Sequence, residues 1–342
     1  MRGVSVILCC YNSVLRLPST LVHLSRQITQ NASWEIILVD NGSTDGTSEC
    51  AKRTWESYSI TGVPFILIQE ETPGLSFARM AGVHAASYDY LIFCDDDNWL
   101  ESDYVERAFE LMSLDKRIGI MGGLNTAVSD VNLPVWFHEM QLAYACGPQA
   151  AQDGEVPRQY ITGAGMIIRK EIFTTLQSLG FKSQLTDRKG EELSSGGDSE
   201  ICFIASMLGF KLIYSSELRL QHYMGESRIN WPYFVKMTLE HAKASYKLQY
   251  YLSEQNGIDT NLNWLNQLFR LTRKNIHRGS FRLMYDFFKC QKIVSGLPAV
   301  LNMMEVEKWL THFKSYSSYT IMLEFIKSLK TSIATYVKQP RH

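Results

Sequence analysis

The first hundred residues alternate short apolar runs with amphipathic stretches, and no other feature of the chain restricts its fold so tightly. Val4–Cys10 precedes Leu15–Gln27, Trp34–Val39 precedes Ser48–Ser57, Phe65–Ile68 precedes Ser76–Ala86, and Tyr90–Cys94 closes the series. The runs are short and apolar at consecutive positions, as strands buried on both faces are, and the intervening stretches carry a helical period. Strand, helix, strand repetition predicts an α/β fold with a parallel sheet and helices on its faces. In such sheets ligands bind beyond the carboxyl ends of the strands. The polar clusters of this half fall there: Tyr11-Asn12-Ser13 after the first run, Asp40 to Gly46 after the second, Asp95-Asp96-Asp97 after the fourth.

Asp95-Asp96-Asp97 is the most chemically suggestive of these. Carboxylates two residues apart at a strand end project to the same side, so Asp95 and Asp97 can share one ligand. Their hard oxygens suit Mg²⁺ or Mn²⁺, which bind one or two carboxylates together with phosphate oxygens. The alternative is an acidic turn that caps a helix over Trp99–Leu111. Asp40-Asn41-Gly42 alone reads equally well as a turn.

Residues 115–230 are less periodic, with short strands expected at Gly119–Met121, Gly165–Ile168 and Lys211–Tyr214 and a helix over Asp198–Leu208. The stretch Lys182–Gly197 is too long for a plain connector and is expected to be a mobile lid or acceptor loop. From Trp231 the pattern turns helical, through Tyr233–Tyr251, Asn263–His277, Phe281–Val294 and Met303–Lys338. With 342 residues, two units are expected, 1–230 and a helical C-terminal region 231–342.

Taken together, Val6-Ile7-Leu8-Cys9-Cys10-Tyr11-Asn12, Asp40-Asn41-Gly42-Ser43-Thr44-Asp45-Gly46-Thr47, Gly74-Leu75-Ser76-Phe77-Ala78-Arg79 and Phe93-Cys94-Asp95-Asp96-Asp97-Asn98 resemble, in order and interval, the family 2 inverting glycosyltransferases of the Rossmann-like GT-A fold. The resemblance spans residues 4–230. It implies a nucleotide-sugar donor, typically a UDP-sugar, a divalent cation (Mn²⁺ or Mg²⁺), and a saccharide or lipid-linked saccharide acceptor, as in surface polysaccharide synthesis. Carried over by position, Tyr11 and Asn12 would line the base pocket and Asp40 would read the nucleobase. Arg79 would lie near the nucleotide, Asp95 would hold the ribose, Asp97 would bind the metal, and Asp96 would stand by. Gly163-Ala164-Gly165 resembles the small-residue segment under the donor sugar, where an ordinary turn is the other reading.

Ser195-Gly196-Gly197-Asp198-Ser199-Glu200 resembles the segment whose Asp is the catalytic base, which makes Asp198 the base; from spacing alone Asp198 could equally be a helix cap. Many members carry Glu before that Asp, and Gly197 stands here instead, as in a bacterial branch with S-G-G-D-x-E. His222 resembles the histidine some members supply to the metal, against a structural role, and Arg228 could reach the diphosphate, against a solvent-facing one.

Composition excludes other classes. The seven cysteines are scattered, without C-x-x-C or zinc spacing, and read as buried thiols of a reducing compartment; Cys9 and Cys10 would face opposite sides of the sheet. No signal-peptide pattern opens the chain and no run is long and apolar enough for a membrane span, so a cytoplasmic protein is expected, peripheral at most on the inner face of the membrane. The net charge of −1 hides an asymmetry: residues 1–230 hold 18 Lys+Arg and 28 Asp+Glu, residues 231–342 hold 16 and 7. The basic region could dock on an anionic membrane, present a lipid-phosphate-linked acceptor, form a homodimer, or simply be a solvated face; it has no nucleic-acid-binding motif. A nucleotidyltransferase would want a Gly-rich basic loop after the first strand, and Cys9-Cys10-Tyr11-Asn12-Ser13 has none. A non-catalytic nucleotide-sugar-binding protein would have lost Asp97 or Asp198, and both are present.

Overall fold

The computed structural model describes residues 1–185, 187–188, 193, 195–255, 303–304, 307–308, 310–311 and 316–338. The expected helices Asn263–His277 and Phe281–Val294 lie outside the described residues.

Four parallel strands, β1 (Val4–Cys10), β2 (Trp34–Asp40), β3 (Phe65–Gln69) and β4 (Tyr90–Asp95), form one half of the sheet in the order β3-β2-β1-β4. The chain leaves β1 first to one side and later to the other, so a crevice opens at the carboxyl end of β1. Three helices separate these strands: α1 (Leu17–Ser25), α2 (Thr47–Ser57) and α3 (Leu75–Ala85). Because strand side chains alternate, β1 feeds two cores. Val6, Leu8 and Cys10 pack with Leu21 of α1 and Trp55 of α2, while Ile7 packs with Ala78 and Val83 of α3 on the other face. Cys9 and Cys10 therefore diverge as expected, and both are free thiols.

The other half is mixed. β5 (Asn98–Leu100), β6 (Ile118–Val128), β7 (Gly154–Glu155), β8 (Ile167–Arg169) and β9 (Lys211–Tyr223) continue the sheet as β4-β8-β6-β9-β5, with β7 also on β9. α4 (Tyr104–Leu114), α5 (Val135–Met140), α6 (Lys170–Ser178), α7 (Gly197–Met207) and α8 (Trp231–Gln255) complete the ordered elements up to residue 255. Two expectations change here. The helix expected from Trp99 starts only at Tyr104, because Asn98 and Leu100 are buried and pair with His222 and Leu220 of β9. The acidic triplet therefore caps no helix. β6 and β9 are also far longer than their apolar cores, since β9 continues through Ser215, Ser216 and Glu217 to alternate buried Leu218, Leu220 and His222 with more exposed neighbours.

The β6 to β9 pairing is tight enough to forbid a side chain at Gly123, where a Cβ would lie 2.0 Å from the Leu218 carbonyl oxygen. Backbone cannot yield as a side chain can, so Gly123→Ala should destabilise the fold by about 1–3 kcal/mol. A urea-denaturation midpoint equal to that of the wild type would contradict this.

Beyond residue 230, Tyr250 and Tyr251 of α8 and Ile326, Leu329 and Ile333 of the helix Tyr316–Lys338 join the core formed by Cys202, Phe203 and Ile204 of α7. Among the described residues, no helix is long and apolar enough to cross a membrane.

Candidate active site

Strand register brings the polar clusters together. Cys9 pairs with Asp95 and Cys10 with Asp40, so β1, β2 and β4 end level, and the residues after them open into a cleft of about 1080 Å³. Tyr11, Arg79, Asp95 and Asp97 line it, as do Gly163, Ala164 and Asp198, and His222 and Arg228. Part of its wall comes from α8, through His241, Ala244, Ser245 and Leu248.

Three expected residues do not line the cleft: Asp40 and Gly165 are buried and Asn12 is exposed. Asp40 is 3% exposed; it accepts from the Ser43 amide at 2.9 Å and from the Ser48 hydroxyl, with Gln69 Nε2 at 3.4 Å. Burial raises its pKa, but those hydrogen bonds outweigh it and hold the carboxyl below its ordinary range. Asp40 thus organises the loop whose Asn41 and Gly42 face the cleft. Asn12, at φ +47°, accepts the Thr44 amide at 2.9 Å and pins the same loop. Gly165 takes φ +70° against Tyr104, whose hydroxyl donates to its carbonyl at 2.6 Å.

In the acidic turn the three carboxylates separate into distinct environments. Asp96 is consumed internally: Ser13 donates to it, and Arg16 pairs with it at 2.6 Å. The Asp95 carboxylate accepts no hydrogen bond among the described residues, and burial raises its pKa despite Arg79. Asp97 is 7% exposed, with Arg228 Nη1 at 2.7 Å from Oδ2 and His222 Nε2 at 3.3 Å from Oδ1. The pairing of Asn98 with His222 across β5 and β9 is what sets this contact. Burial opposes ionisation of Asp97, but His222 and Arg228 outweigh it and hold the carboxyl well below its ordinary range. Burial likewise disfavours a charged His222, and Asp97 overrides it, raising the imidazole to about 9.

Asp97 Oδ1 and His222 Nε2 are spaced as two ligands of a single small cation could be, and hard oxygen plus imidazole suits Mn²⁺. The far nitrogen of His222 faces Cys146 Sγ at 3.7 Å, which helps orient the ring. Among the described residues no group of three or more His, Cys, Asp or Glu side chains could hold a metal by itself. The residues therefore fit a cation that takes its remaining ligands from a diphosphate and water.

At the other end, α7 begins after Gly196, at φ +114°, and Asp198 is its second residue rather than its cap. The Asp198 side chain turns into the cleft, 29% exposed, with Oδ1 paired to Arg79 Nη1. Oδ2 lies over Gly163, where a Cβ would be 2.1 Å from it. Burial raises the pKa of Asp198 and Asp187 adds to this, against the opposing pull of Arg79. Arg79 is thus placed beside Asp198, stacked over Phe93 at 5.0 Å.

Two contributors had no role assigned from the sequence: Asp187, in the long loop, and Glu200, the last residue of the S-G-G-D-x-E pattern. Asp187 accepts the Gly197 amide at 3.0 Å and Arg79 at 3.3 Å; a Cβ on Gly197 would lie 2.5 Å from Asp187 Oδ2, so the glycine makes room for this carboxylate. Buried Glu200 accepts from Gln184 N at 3.0 Å and Tyr251 OH at 2.6 Å, and from Ser183, tying that loop and α8 to α7. The cleft cysteines offer no nucleophile: burial pushes the Cys9 thiol up to about 12, and the Cys10 thiol also well up.

The model of the family described as Glycosyl transferase family 2 matches residues 5–176. Curated relatives match over shorter stretches. Glycosyltransferase GlyA of Streptococcus pneumoniae is 35% identical over 107 residues, 31% of this chain and 14% of that protein. Glycosyltransferase AglE of Haloferax volcanii is 33% identical over 110 residues, 32% and 35% respectively. Cholesterol galactosyltransferase of Borreliella burgdorferi is 34% identical over 103 residues, 30% and 27%. The chain thus spans well under half the length of these relatives.

Among solved structures, the mannosyltransferase PcManGT of Pyrobaculum calidifontis, in complex with GDP-Man and Mn²⁺, superposes with a TM-score of 0.55 at 15% identity over 98% of this chain and 88% of that one. TarS 1-349 of S. aureus, in complex with UDP, gives 0.51 at 17% identity over 98% and 91%. At such identities the likeness establishes the fold, which is GT-A with helices appended at the C-terminal end.

Proposed function

Because the chain belongs to glycosyl transferase family 2, we propose that it transfers a sugar, with inversion, from a nucleotide-sugar to a hydroxyl of a saccharide or lipid-linked saccharide. The observation that carries this reading is that Asp97 with His222 and Arg228, and Asp198 with Arg79, belong to the same cleft. One group suits the binding of a diphosphate with its cation and the other suits the removal of a proton. UDP is the first choice of nucleotide, since TarS is a UDP complex; PcManGT, a GDP-Man complex, makes GDP the second.

In this reading Tyr11 and the Asn41–Gly42 loop, shaped by Asn12 and Asp40, flank the base, and Asp95 receives the ribose hydroxyls. Asp97 and His222 hold the divalent cation, which when bound stabilises the charge that gathers on the departing diphosphate. Arg228, which lines the cleft beside Asp97, meets a phosphate oxygen there. Gly163-Ala164 supplies a side-chain-poor floor under the sugar. Asp198 Oδ2, free of hydrogen bonds among the described residues, takes the proton of the acceptor hydroxyl as its oxygen attacks the anomeric carbon. The bond from that carbon to the phosphate oxygen breaks, and its electron pair leaves with the nucleoside diphosphate. A single displacement inverts the centre, so no second nucleophile is required. The Gly197-Asp198-Ser199-Glu200 pattern agrees with the branch that has glycine before the base, and α8, the start of the 231–342 extension, walls the acceptor side.

UDP-, GDP- and dTDP-sugars screened with Mn²⁺ for thermal stabilisation and hydrolysis test the reading, and no response to any of them would sink it. Asp97→Ala should weaken Mn²⁺-dependent binding of the responding nucleotide by about 10-fold in calorimetry. Equal affinity in the presence of Mn²⁺ would take Asp97 out of the cation site.

A further inference from the structure

Four arginines line the cleft: Arg16, Arg79, Arg188 and Arg228. Three are matched by protein carboxylates. Arg16 pairs with Asp96 at 2.6 Å, Arg228 with Asp97 at 2.7 Å, and Arg79 with both Asp198 and Asp187, the latter at 3.3 Å. Their charge is balanced before any ligand arrives. Arg188 is different: it is exposed, and its guanidinium makes no hydrogen bond or ion pair among the described residues.

An exposed arginine is ordinarily a solvated one, but two observations set this residue apart. Its backbone is held, because its carbonyl accepts the Leu75 amide at 3.0 Å. The preceding Asp187 is clamped by the Gly197 amide at 3.0 Å, by Arg79 at 3.3 Å and by the Ser76 hydroxyl at 3.3 Å. A fixed main chain thus carries an uncommitted cation at the cleft. The charge also reaches both walls: it favours the ionised forms of Asp97 and Asp198 and disfavours protonation of His241 on α8.

A nucleoside diphosphate must enter a cleft that already holds Asp95, Asp96, Asp97, Asp187 and Asp198. Paired arginines offset those aspartates but attract an incoming anion weakly, so an unpaired guanidinium decides much of the phosphate's affinity. Its planar fork can meet two phosphate oxygens at once, in charge-assisted hydrogen bonds. We infer that Arg188, presented by the Asp187 clamp, binds the diphosphate of the donor; this rests on the glycosyltransferase reading above and assigns that site a residue no motif indicated.

Calorimetry on the full chain with Mn²⁺ tests it, with UDP and GDP titrated beside uridine and guanosine. Arg188→Gln should lower affinity for the diphosphate that binds wild type by about 10-fold or more while the matching nucleoside binds as before, and Arg188→Lys should recover part of the loss. Equal diphosphate affinity in wild type and Arg188→Gln overturns the inference. So does an equal loss for nucleoside and diphosphate, which would mean a disturbed cleft rather than a lost phosphate contact. A wild-type chain that binds neither nucleotide overturns the glycosyltransferase reading itself, and this inference with it.

Discussion

Asp198→Asn should turn over its donor and acceptor about 10²–10⁴-fold more slowly than the wild type while binding the nucleotide-sugar within about twofold of it. The substitution keeps the shape of the side chain and removes its ability to accept a proton. Arg79, which holds Asp198 Oδ1, keeps Asp187 as a partner at 3.3 Å, so the guanidinium is not stranded in the core. The donor is recognised by other residues of the cleft, on the Asp97 side, and should not register the change. A carboxylate is a weak base toward a sugar hydroxyl, and the raised pKa of Asp198 brings it closer to the proton it must take. The sign of the pH dependence follows. The ionised form is the active one, so wild-type turnover should fall as pH drops through an apparent value above that of an ordinary aspartate, and the residual activity of Asp198→Asn should lack that limb. Initial rates against pH for both proteins give the answer. Turnover of the variant equal to wild type would remove Asp198 from the reaction.

Much of this arrangement could be read from the chain, for identifiable reasons. β1, β2 and β4 announce themselves because both their faces are buried, so their apolar runs are uninterrupted. Their carboxyl ends are then the places where polar residues must emerge, which is why Tyr11 and the acidic triplet could be assigned to one edge. β9 was truncated in that reading because half of it alternates, and Ser215, Ser216 and Glu217 resemble a turn until β6 and β5 are seen on either side. β5 was taken into a helix for the related reason that three residues carry no period. Site residues were legible when a strand end exposed them and illegible when packing alone did so. Asp40 stands at a strand end, yet Ser43, Ser48 and Gln69 draw its carboxylate inward. Arg79 lines the cleft, and its partners there, Asp187 and Asp198, are more than a hundred residues away. No local pattern encodes such a contact, and the same holds for Asp187, which becomes meaningful only beside Gly197.

Gly163→Ala should cost about 10²-fold in turnover with little loss of stability, an effect out of proportion to the single methyl group added. A Cβ built on Gly163 lies 2.1 Å from Asp198 Oδ2, 2.6 Å from its Cγ and 2.9 Å from Arg79 Nη2. The first two separations are closer than non-bonded atoms can approach, so the Asp198 carboxyl must swing away. Its swing toward solvent loosens the tie of Oδ1 to Arg79, which keeps Asp187 as a partner and Phe93 beneath it. The base is therefore displaced by the order of an ångström from the hydroxyl it serves, and displacements of that size cost about 10²-fold in well-aligned reactions. Stability should change little, since residue 163 needs no left-handed backbone and Asp198 is partly exposed and able to move toward solvent. A thermal melt close to wild type together with unchanged nucleotide affinity and a collapsed turnover would identify Gly163 as the residue that keeps the base in place. Full activity in Gly163→Ala would mean that Asp198 Oδ2 does not rest over this glycine during the reaction. Gly163→Ala combined with Asp198→Asn separates the two effects. If the alanine acts only by moving the base, the double variant should be no slower than Asp198→Asn alone.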